Sequence, residues 1–330
     1  MSGDLTQALR TAHSGLFTSQ QALDAVARNV ANVNTPGYSR KIVNLEQRTL
    51  AGAGAGVDFG VLSRRIDQGL LDSLRQETGG LHASDIRRDM LDRIQALFGT
   101  PESDSSLSHV LIEFQTAVES LAAAPQDGLG QREVVRAGAD AASLLRRYSN
   151  GIQDLRAEAD HRIGKAVEEI NSLLAEIADL NDKIVRNQAA QHSVADLQDS
   201  RDQAVDRLSQ LIDVRAVGRS NGAIVVFTAG GRTLVDGTAA SLSHIPAAVA
   251  SASVNYAEGD FDGIYVGDRT AGNDMTGDIR SGELSGLIDM RDSVLPDLQS
   301  ALDALAAKLR DAVNAGHNRG AAFPGAVSMS

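Results

Sequence analysis

A chain of 330 residues is long enough for two or three compact units, and 22% charged residues with no Trp, seven Phe and four Tyr favour long helices over β-sandwiches. A net charge of −12 argues against nucleic-acid partners, because such binding needs clustered Lys and Arg that release counterions from phosphates. The absence of Cys excludes disulfides, thiolate metal sites and Cys nucleophiles.

The N-terminal segment has no export signal of the cleavable kind. It carries Asp4 and Arg10 and lacks both a basic start and an apolar core. No window of the sequence approaches the roughly 18 consecutive apolar residues that a membrane-spanning helix needs. We therefore expect a soluble chain with no membrane partner, either cytosolic or exported by another route.

The first predicted helix carries a heptad-like apolar stripe. Apolar and small residues recur at spacings that alternate between three and four. The large members of the stripe are Leu5, Leu9, Leu16, Leu23, Val26, Val30 and Val33. This spacing predicts a helix that pairs with another helix, so we take these residues as the candidate assembly interface. The helix is expected to stop near Val33, because Pro36 lacks a backbone donor and Gly37 permits a positive φ.

Residues 41–62 are predicted to form an extended or irregular connector. Gly52, Gly54 and Gly56 alternate with Ala, a composition typical of flexible segments. These glycines superficially suggest a phosphate-binding loop. However, no βαβ unit surrounds them and no Gly-Lys-Ser/Thr follows, so the geometry that aims amides at a phosphate is missing.

Residues 63–213 have the periodicity of a long-helix bundle. The predicted helices cover residues 70–97, 107–121, 131–187 and 194–212. The first is one long helix or a helix broken at Gly79-Gly80, and Ser105 or Ser106 is a candidate N-cap of the second. The apolar stripe of the third slips once, between Ala159 and Ile163, which we interpret as a stutter that relaxes supercoiling without breaking the helix.

The pattern changes to a smaller β-rich module over residues 214–282. Short β-type runs cover residues 214–217, 223–228 and 233–235, and further runs cover residues 242–245, 253–256 and 264–266. Asn221-Gly222 and Gly230-Gly231 are turn signals between the first of these runs. A last apolar stripe predicts a helix over residues 283–320 that returns to the bundle, followed by a tail over residues 321–330. The predicted fold class is mainly α with a smaller β-rich module, an elongated long-helix bundle with a heptad-patterned helix at its start.

No pattern of residues indicates a catalytic or metal site. The seven histidines are scattered, and no His-Glu-x-x-His pair places two ligands on one helical face. Asp260, Asp262 and the run 268–278 contain oxygens that suit Ca²⁺, but their spacing does not fit the EF-hand loop. Without a nucleophile–base pair or a cofactor loop, we expect no cofactor, no metal and no enzymatic activity.

The segment that closes the first helix resembles the signature of the flagellar rod, hook and hook-associated axial protein family. The segment reads Ala31-Asn32-Val33-Asn34-Thr35-Pro36-Gly37-Tyr38-Ser39-Arg40. Three further stretches are similar to landmarks of the hook-associated members, in the same order along the chain. They are residues 196–203 (DLQDSRDQ), 281–287 (SGELSGL) and 314–320 (NAGHNRG).

The resemblance implies a structural subunit of the bacterial flagellum that joins hook to filament. Such a subunit is exported without a cleavable signal peptide through the type III apparatus and polymerises outside the cell through its helices. The implied partners are copies of itself in a ring, the hook protein, the next junction protein, and the export apparatus with its chaperone. The implied hinge, which redirects the chain after the axial helix, consists of Asn32, Asn34, Thr35, Pro36, Gly37 and Tyr38.

Two alternatives to this interpretation stay open. A hook or rod axial protein shares the same turn motif, although the long helical stripe from Leu145 to Ile184 favours the hook-associated members. A generic coiled-coil or adhesin-like protein shares only the long helices. The family also pairs its N-terminal helix with a C-terminal one, and no second terminal heptad follows Phe323, so we expect either a fragment or a shortened chain.

Overall fold

The computed structural model describes residues 2–50, 53–60, 62–100, 106–248, 251, 256 and 259–319. The α-helices are α1 (Ser2–Ala31), α2 (Gln68–Phe98), α3 (Leu107–Ala123), α4 (Gly128–Ala189), α5 (Ala195–Leu211), α6 (Gly282–Asp289) and α7 (Leu295–Arg319). The strands are β1 (Lys41–Ile42), β2 (Leu45–Leu50), β3 (Ala53–Phe59), β4 (Ser63–Arg64), β5 (Val214–Gly218), β6 (Ile224–Thr228), β7 (Thr233–Asp236), β8 (Thr238–Ala239), β9 (Leu242–Ser243) and β10 (Tyr265–Val266). The fold is mainly α with a small β module, as predicted.

The chain divides into two compact units, each built from three stretches of sequence. Unit 1 contains Met1–His82, Ala166–Ser243 and Ile264–Glu283. Unit 2 contains Ala83–Lys165, His244–Gly263 and the chain from Leu284 onward. The helices α2, α4 and α6 each contribute residues to both units. The predicted tail over residues 321–330 lies outside the described residues.

Unit 1 contains the β module. The strands β5, β6, β7 and β8 form an antiparallel four-stranded sheet in chain order. This arrangement confirms the three runs predicted between residues 214 and 235. The weaker runs at 242–245 and 264–266 shorten to β9 and β10, which pair with each other. The run predicted at 253–256 falls mostly outside the described residues.

A buried polar contact attaches this sheet to the helices of unit 1. Asn181 of α4 donates to the Ile224 carbonyl at 2.8 Å and accepts from the Ile224 amide at 3.0 Å. Arg201 of α5 donates to Asn181 Oδ1 at 2.9 Å and to the Gly222 carbonyl at 2.8 Å. Burial lowers the pKa of Arg201 to about 10, so the guanidinium stays charged at neutral pH. One side chain from each helix therefore fixes where β6 begins.

For two segments of unit 1, the structure has one of the alternatives that the sequence left open. Helix α2 runs through Gly79-Gly80 without a break. A Cβ at Gly79 would lie 3.0 Å from the Ser209 carbonyl oxygen and 2.6 Å from Ser281 Oγ, so this glycine permits close packing and does not end the helix. The described residues of the connector are extended, as one of the two alternatives had it: β2 and β3 form a hairpin and β1 pairs with β4. The alternating Ala and Gly at the start of β3 offer no apolar periodicity from which the pairing of that strand could be predicted.

Unit 2 packs helices around an apolar core that contains a charged cluster. Met90, Ile152, Ile163 and Leu295 are completely buried. At the end of α2, the rings of Phe98 and Tyr148 lie 4.4 Å apart, and Tyr148 Oη donates to the Phe98 carbonyl at 3.1 Å. Between α6 and α7, Met290–Val294 forms a π-helical segment.

The charged cluster of unit 2 centres on Asp160 of α4. Its carboxylate accepts from Arg291 Nη1 at 2.6 Å and from the Ala247 amide at 2.7 Å, and it lies 3.2 Å from His244 Nε2. Arg291 also holds Asp292 through two hydrogen bonds of 2.8 Å. Asp160 and Arg291 are each 1% exposed, so these contacts take the place of water around the two buried charges.

Helix α3 begins at the predicted cap. Ser106 has extended backbone angles, and its hydroxyl accepts from the His109 amide at 3.2 Å. We expect Ser106→Ala to lower the free energy of unfolding by about 1 kcal/mol, because the amide loses its partner. Urea denaturation measures this change. Thr116→Ala in the middle of α3 is the control and should stay within about 0.5 kcal/mol of the unchanged protein; equal effects from both substitutions would contradict a capping role.

Candidate assembly interface

The apolar stripe of α1 lies on the exposed face of the helix. Its members on α1 are Leu5, Leu9, Leu16, Leu23, Val26 and Val30, and Val33 follows in the turn beyond Ala31; their exposed fractions range from 56% to 78%. On the opposite face, Thr18 is 3% exposed and Ala25 is 6% exposed. The helix therefore turns its small and polar side toward the rest of unit 1 and its large apolar side outward. Such a contiguous exposed apolar stripe is typical of an interaction surface.

The hairpin of β2 and β3 lies against the inward face of α1. The Val57 amide donates to Ser14 Oγ at 3.3 Å. A side chain at Gly56 would overlap the same hydroxyl. Glycine at this position of β3 therefore lets the strand approach the helix closely.

The predicted hinge residues form a compact turn after α1. The Asn32 side chain accepts from Thr35 Oγ1 at 3.2 Å, while the Thr35 amide donates to the Asn32 carbonyl at 2.9 Å. The Tyr38 amide donates to the Thr35 carbonyl at 3.2 Å, and Gly37 has a φ of +75°. A residue with a β-carbon at Gly37 would be strained and would meet the Gln203 side chain. The turn motif thus explains where the helix stops.

Asn29, near the end of α1, ties the helix to the chain that follows the turn. Its side chain donates to the Lys41 carbonyl at 2.8 Å and accepts from the Lys41 amide at 2.9 Å. Tyr38 Oη donates to the same Asn29 oxygen at 3.0 Å. Partial burial, together with the nearby carboxylates Asp196 and Asp199, raises the pKa of Tyr38, so the phenol keeps the proton that it donates.

Carboxylates on one face of α5 bind the segment that follows the turn. Asp199 accepts from the Ser39 amide at 3.3 Å and from Arg64 Nη1 at 2.9 Å, and it also binds the Ser39 hydroxyl and the Lys41 ammonium. Asp202, one turn later, accepts from Arg64 at 2.6 Å. Burial by itself raises the pKa of Asp199, but the hydrogen bonds from Lys41, Ser39 and Arg64 outweigh it and hold the pKa below its usual value. The carboxylate therefore stays charged.

A shallow groove of about 400 Å³ opens where the stripe meets the turn. Its apolar lining comes from Val26, Val30 and Val33, and the remaining lining residues are Asn29, Asn32, Tyr38 and Arg40. The groove is continuous with the exposed stripe, because Val26, Val30 and Val33 belong to both.

The sequence identified the stripe and the turn but missed Asn29, Asp199 and Arg64. The signal for Asn29 was its place one turn after Ala25, where a polar residue on an inward face needs partners. The signal for the carboxylates was the three-residue spacing of Asp196, Asp199 and Asp202 within a family landmark, continued by Asp206 four residues later. In the part of the chain that the structure describes, no three His, Asp or Glu side chains are grouped as a metal site would require.

None of the described helices combines the length and the apolar character that crossing a membrane requires.

Comparison with known families gives a consistent result. The model described as "Flagellar hook-associated protein FlgK helical domain" matches residues 91–328, and the model described as "Flagella basal body rod protein" matches residues 9–38. The second match covers most of α1 and the turn.

Comparison with individual proteins agrees. Flagellar hook-associated protein 1 of Salmonella typhimurium is 29% identical over 326 residues, which cover 96% of this chain and 57% of the relative. The protein of the same name from Escherichia coli K12 is 26% identical over 329 residues, or 96% of this chain and 58% of the relative. The chain thus spans 57% of the length of the first relative and 58% of the second.

A solved structure shares the fold. The flagellar hook junction protein FlgK from Burkholderia pseudomallei superposes with a TM-score of 0.59 at 23% identity, covering 72% of this chain and 41% of that protein.

Proposed function

Because the chain belongs to the flagellar hook-associated protein family, whose FlgK helical-domain model matches residues 91–328, we propose that it is a structural subunit joining the flagellar hook to the filament. We assign no catalytic role, since the family and the named relatives are flagellar components and not enzymes. The proposal places the protein in the extracellular flagellum after export through the type III apparatus.

The observation that carries the mechanism is the outward stripe of α1. All of its large apolar side chains are more than half exposed, so the isolated chain leaves them in water. Each such side chain contributes about 1.5–3 kcal/mol when it is buried fully, so pairing this face with a neighbouring helix supplies a strong drive for polymerisation. We propose that residues 1–40 form the axial segment, that the turn at residues 32–38 is its hinge, and that the stripe packs against helices of neighbouring axial subunits.

The proposed partners follow from this position in the flagellum. They are further copies of the chain in a ring, the hook protein on one side and the next junction protein on the other. The export apparatus and its chaperone are the proposed partners before assembly.

We expect Leu16→Glu to abolish assembly, because a carboxylate at the centre of the stripe would be buried without a partner in the packed seam. The test expresses the full-length gene with this change in cells that lack it, and electron microscopy and an assay of the medium record hooks, filaments and shed flagellin. Bare hooks with flagellin in the medium are the expected result. Normal filaments would contradict the proposal that the stripe packs against neighbouring subunits.

His13→Glu is the matched control. His13 lies on α1, is exposed and lies outside the stripe, so the same new carboxylate should leave filaments intact. Cells without the gene separate the alternatives: loss of the hooks themselves would assign the chain to the hook or rod, which the match of residues 9–38 to the rod model also permits.

A further inference from the structure

Apolar packing fixes α1 only weakly to the rest of unit 1. Among the described side chains of this helix, the buried ones are Thr18 and Ala25, both small. The hairpin beside α1 continues from β1 and returns through β4, so it belongs to the same N-terminal segment. We call α1, the turn and β1–β4 the arm. The arm joins α5 through hydrogen bonds and ion pairs.

The joint between the arm and α5 is a continuous chain of polar contacts. The Asn29 side chain of α1 forms two hydrogen bonds with the Lys41 main chain. The Lys41 ammonium and the Arg64 guanidinium, which stand on the paired strands β1 and β4, both bind Asp199. Arg64 continues to Asp202 at 2.6 Å and to Gln198 at 3.0 Å. A movement of α1 therefore has to break charge contacts on α5.

Because these charged side chains are buried, their contacts favour one arrangement of the arm relative to α5. The side chains of Lys41, Arg64 and Asp199 are exposed to only 5%, 8% and 8%. Ion pairs this deep give little net stability relative to apolar replacements, but losing one partner while the site stays buried leaves an unpaired charge. They are therefore well suited to select one orientation of the arm.

We propose that Asp199 and Asp202 are positioning residues that hold the arm in one direction, so that the stripe of α1 is presented correctly for assembly. This inference rests on the proposed assembly role and deepens it. The family landmark at residues 196–203 is then the socket of the arm, and the turn motif at residues 31–40 is what the socket holds.

The test measures the direction of the arm in the isolated full chain. Because the chain has no Cys, spin labels on Gln7→Cys and Asp182→Cys, both exposed, report the distance from α1 to α4 within unit 1. The unchanged protein should give one narrow distance distribution. Asp199→Asn with Asp202→Asn should give a broad one, and amide exchange of Lys41 and Arg65 should become roughly tenfold faster, as expected when a charged hydrogen bond is lost.

Asp206→Asn is the matched control for this experiment. Asp206 stands on the same face of α5, but its partner at 2.6 Å is Arg75 of α2, outside the arm. It should leave the distribution narrow. A narrow distribution in the double variant, or an equally broad one in Asp206→Asn, would overturn the proposal.

If the double variant does not fold, as judged by circular dichroism, Arg64→Gln tests the joint from the side of the arm and should also broaden the distribution; a narrow one would count against the joint. Leu16→Glu separates this idea from the assembly role. Cells with Leu16→Glu should lack filaments although the distance distribution of that variant stays narrow. Cells with the double variant should lack filaments, and its distribution should be broad.

Discussion

Replacing Asp160 with Ala is expected to lower the free energy of unfolding by about 3–5 kcal/mol, the typical effect of removing one partner from a buried ion pair. Arg291 loses a hydrogen bond of 2.6 Å, and His244 loses the carboxylate 3.2 Å from its Nε2. The Ala247 amide loses its acceptor as well. Arg291 keeps its hydrogen bonds to Asp292, which limits the loss of stability. Asp292 does not compensate for the contacts that Arg291, His244 and the Ala247 amide lose.

Urea denaturation of the full chain measures this effect. Asp89→Ala is the control, because Asp89 pairs with Arg162 at 3.2 Å and is 55% exposed. Removing such a surface pair should cost less than about 1 kcal/mol. If Asp160→Ala were as mild as this control, the charged cluster would not be a determinant of the stability of unit 2.

The same cluster predicts a pH dependence. Burial by itself raises the pKa of Asp160, but contacts from His244, the Ala247 amide and Arg291 outweigh burial and hold the pKa below its ordinary value. A depressed pKa stabilises the fold above the value of the unfolded chain, about 3.9, and this contribution disappears as the pH falls through the lower, folded value. The difference in stability between the unchanged protein and Asp160→Ala should therefore shrink below about pH 4. A difference that grows there would contradict the assigned charge state.

Gly282→Ala is expected to be nearly as severe. Gly282 has a φ of +85°, and an added Cβ would lie 2.5 Å from the Leu211 carbonyl carbon and oxygen. The backbone strain costs roughly 1–3 kcal/mol and the overlap adds a similar amount, since main-chain atoms cannot move aside as a flexible side chain does. Thermal or urea unfolding should show a loss of about 2–6 kcal/mol.

Gly267→Ala separates the two parts of this effect. Gly267 has a similar φ of +73° but nothing within 4 Å of an added Cβ. It should cost only the strain, about 1–3 kcal/mol. Equal losses at both positions would show that close packing against Leu211 is unimportant.

Periodicity predicted most helices, because a stripe with three- and four-residue spacing has few other solutions. The π-helical segment at Met290–Val294 was missed, although the stripe from Leu287 to Leu295 spans eight residues where a heptad spans seven. That extra residue is the insertion that a π turn accommodates. Similarly, the stutter between Ala159 and Ile163 lies where Asp160 enters the core, so α4 exchanges an apolar contact for a charge there.

The candidate interface shows the same limit. Its apolar stripe was readable because its members are neighbours on one helix. The joint that orients it was not, since Ser39 and Asp199 are separated by 160 residues. Side-chain pairing over such distances depends on tertiary structure, and a single sequence gives only the spacing of the carboxylates on α5. The role of the two glycines in the SGELSGL landmark could not be predicted either, because they leave space for the main chain of Leu211 and Ala83, which are distant in sequence.

The composition of unit 1 also determines when it can fold. Its stretches end at His82, Ser243 and Glu283, so the contacts that complete it join residues far apart in sequence. Proteins with such non-local contacts fold slowly, because the cost of closing long loops comes before the contacts are gained. Because synthesis begins at the N-terminus, α1 cannot take its place beside α5 until the chain has grown through Ala195–Leu211.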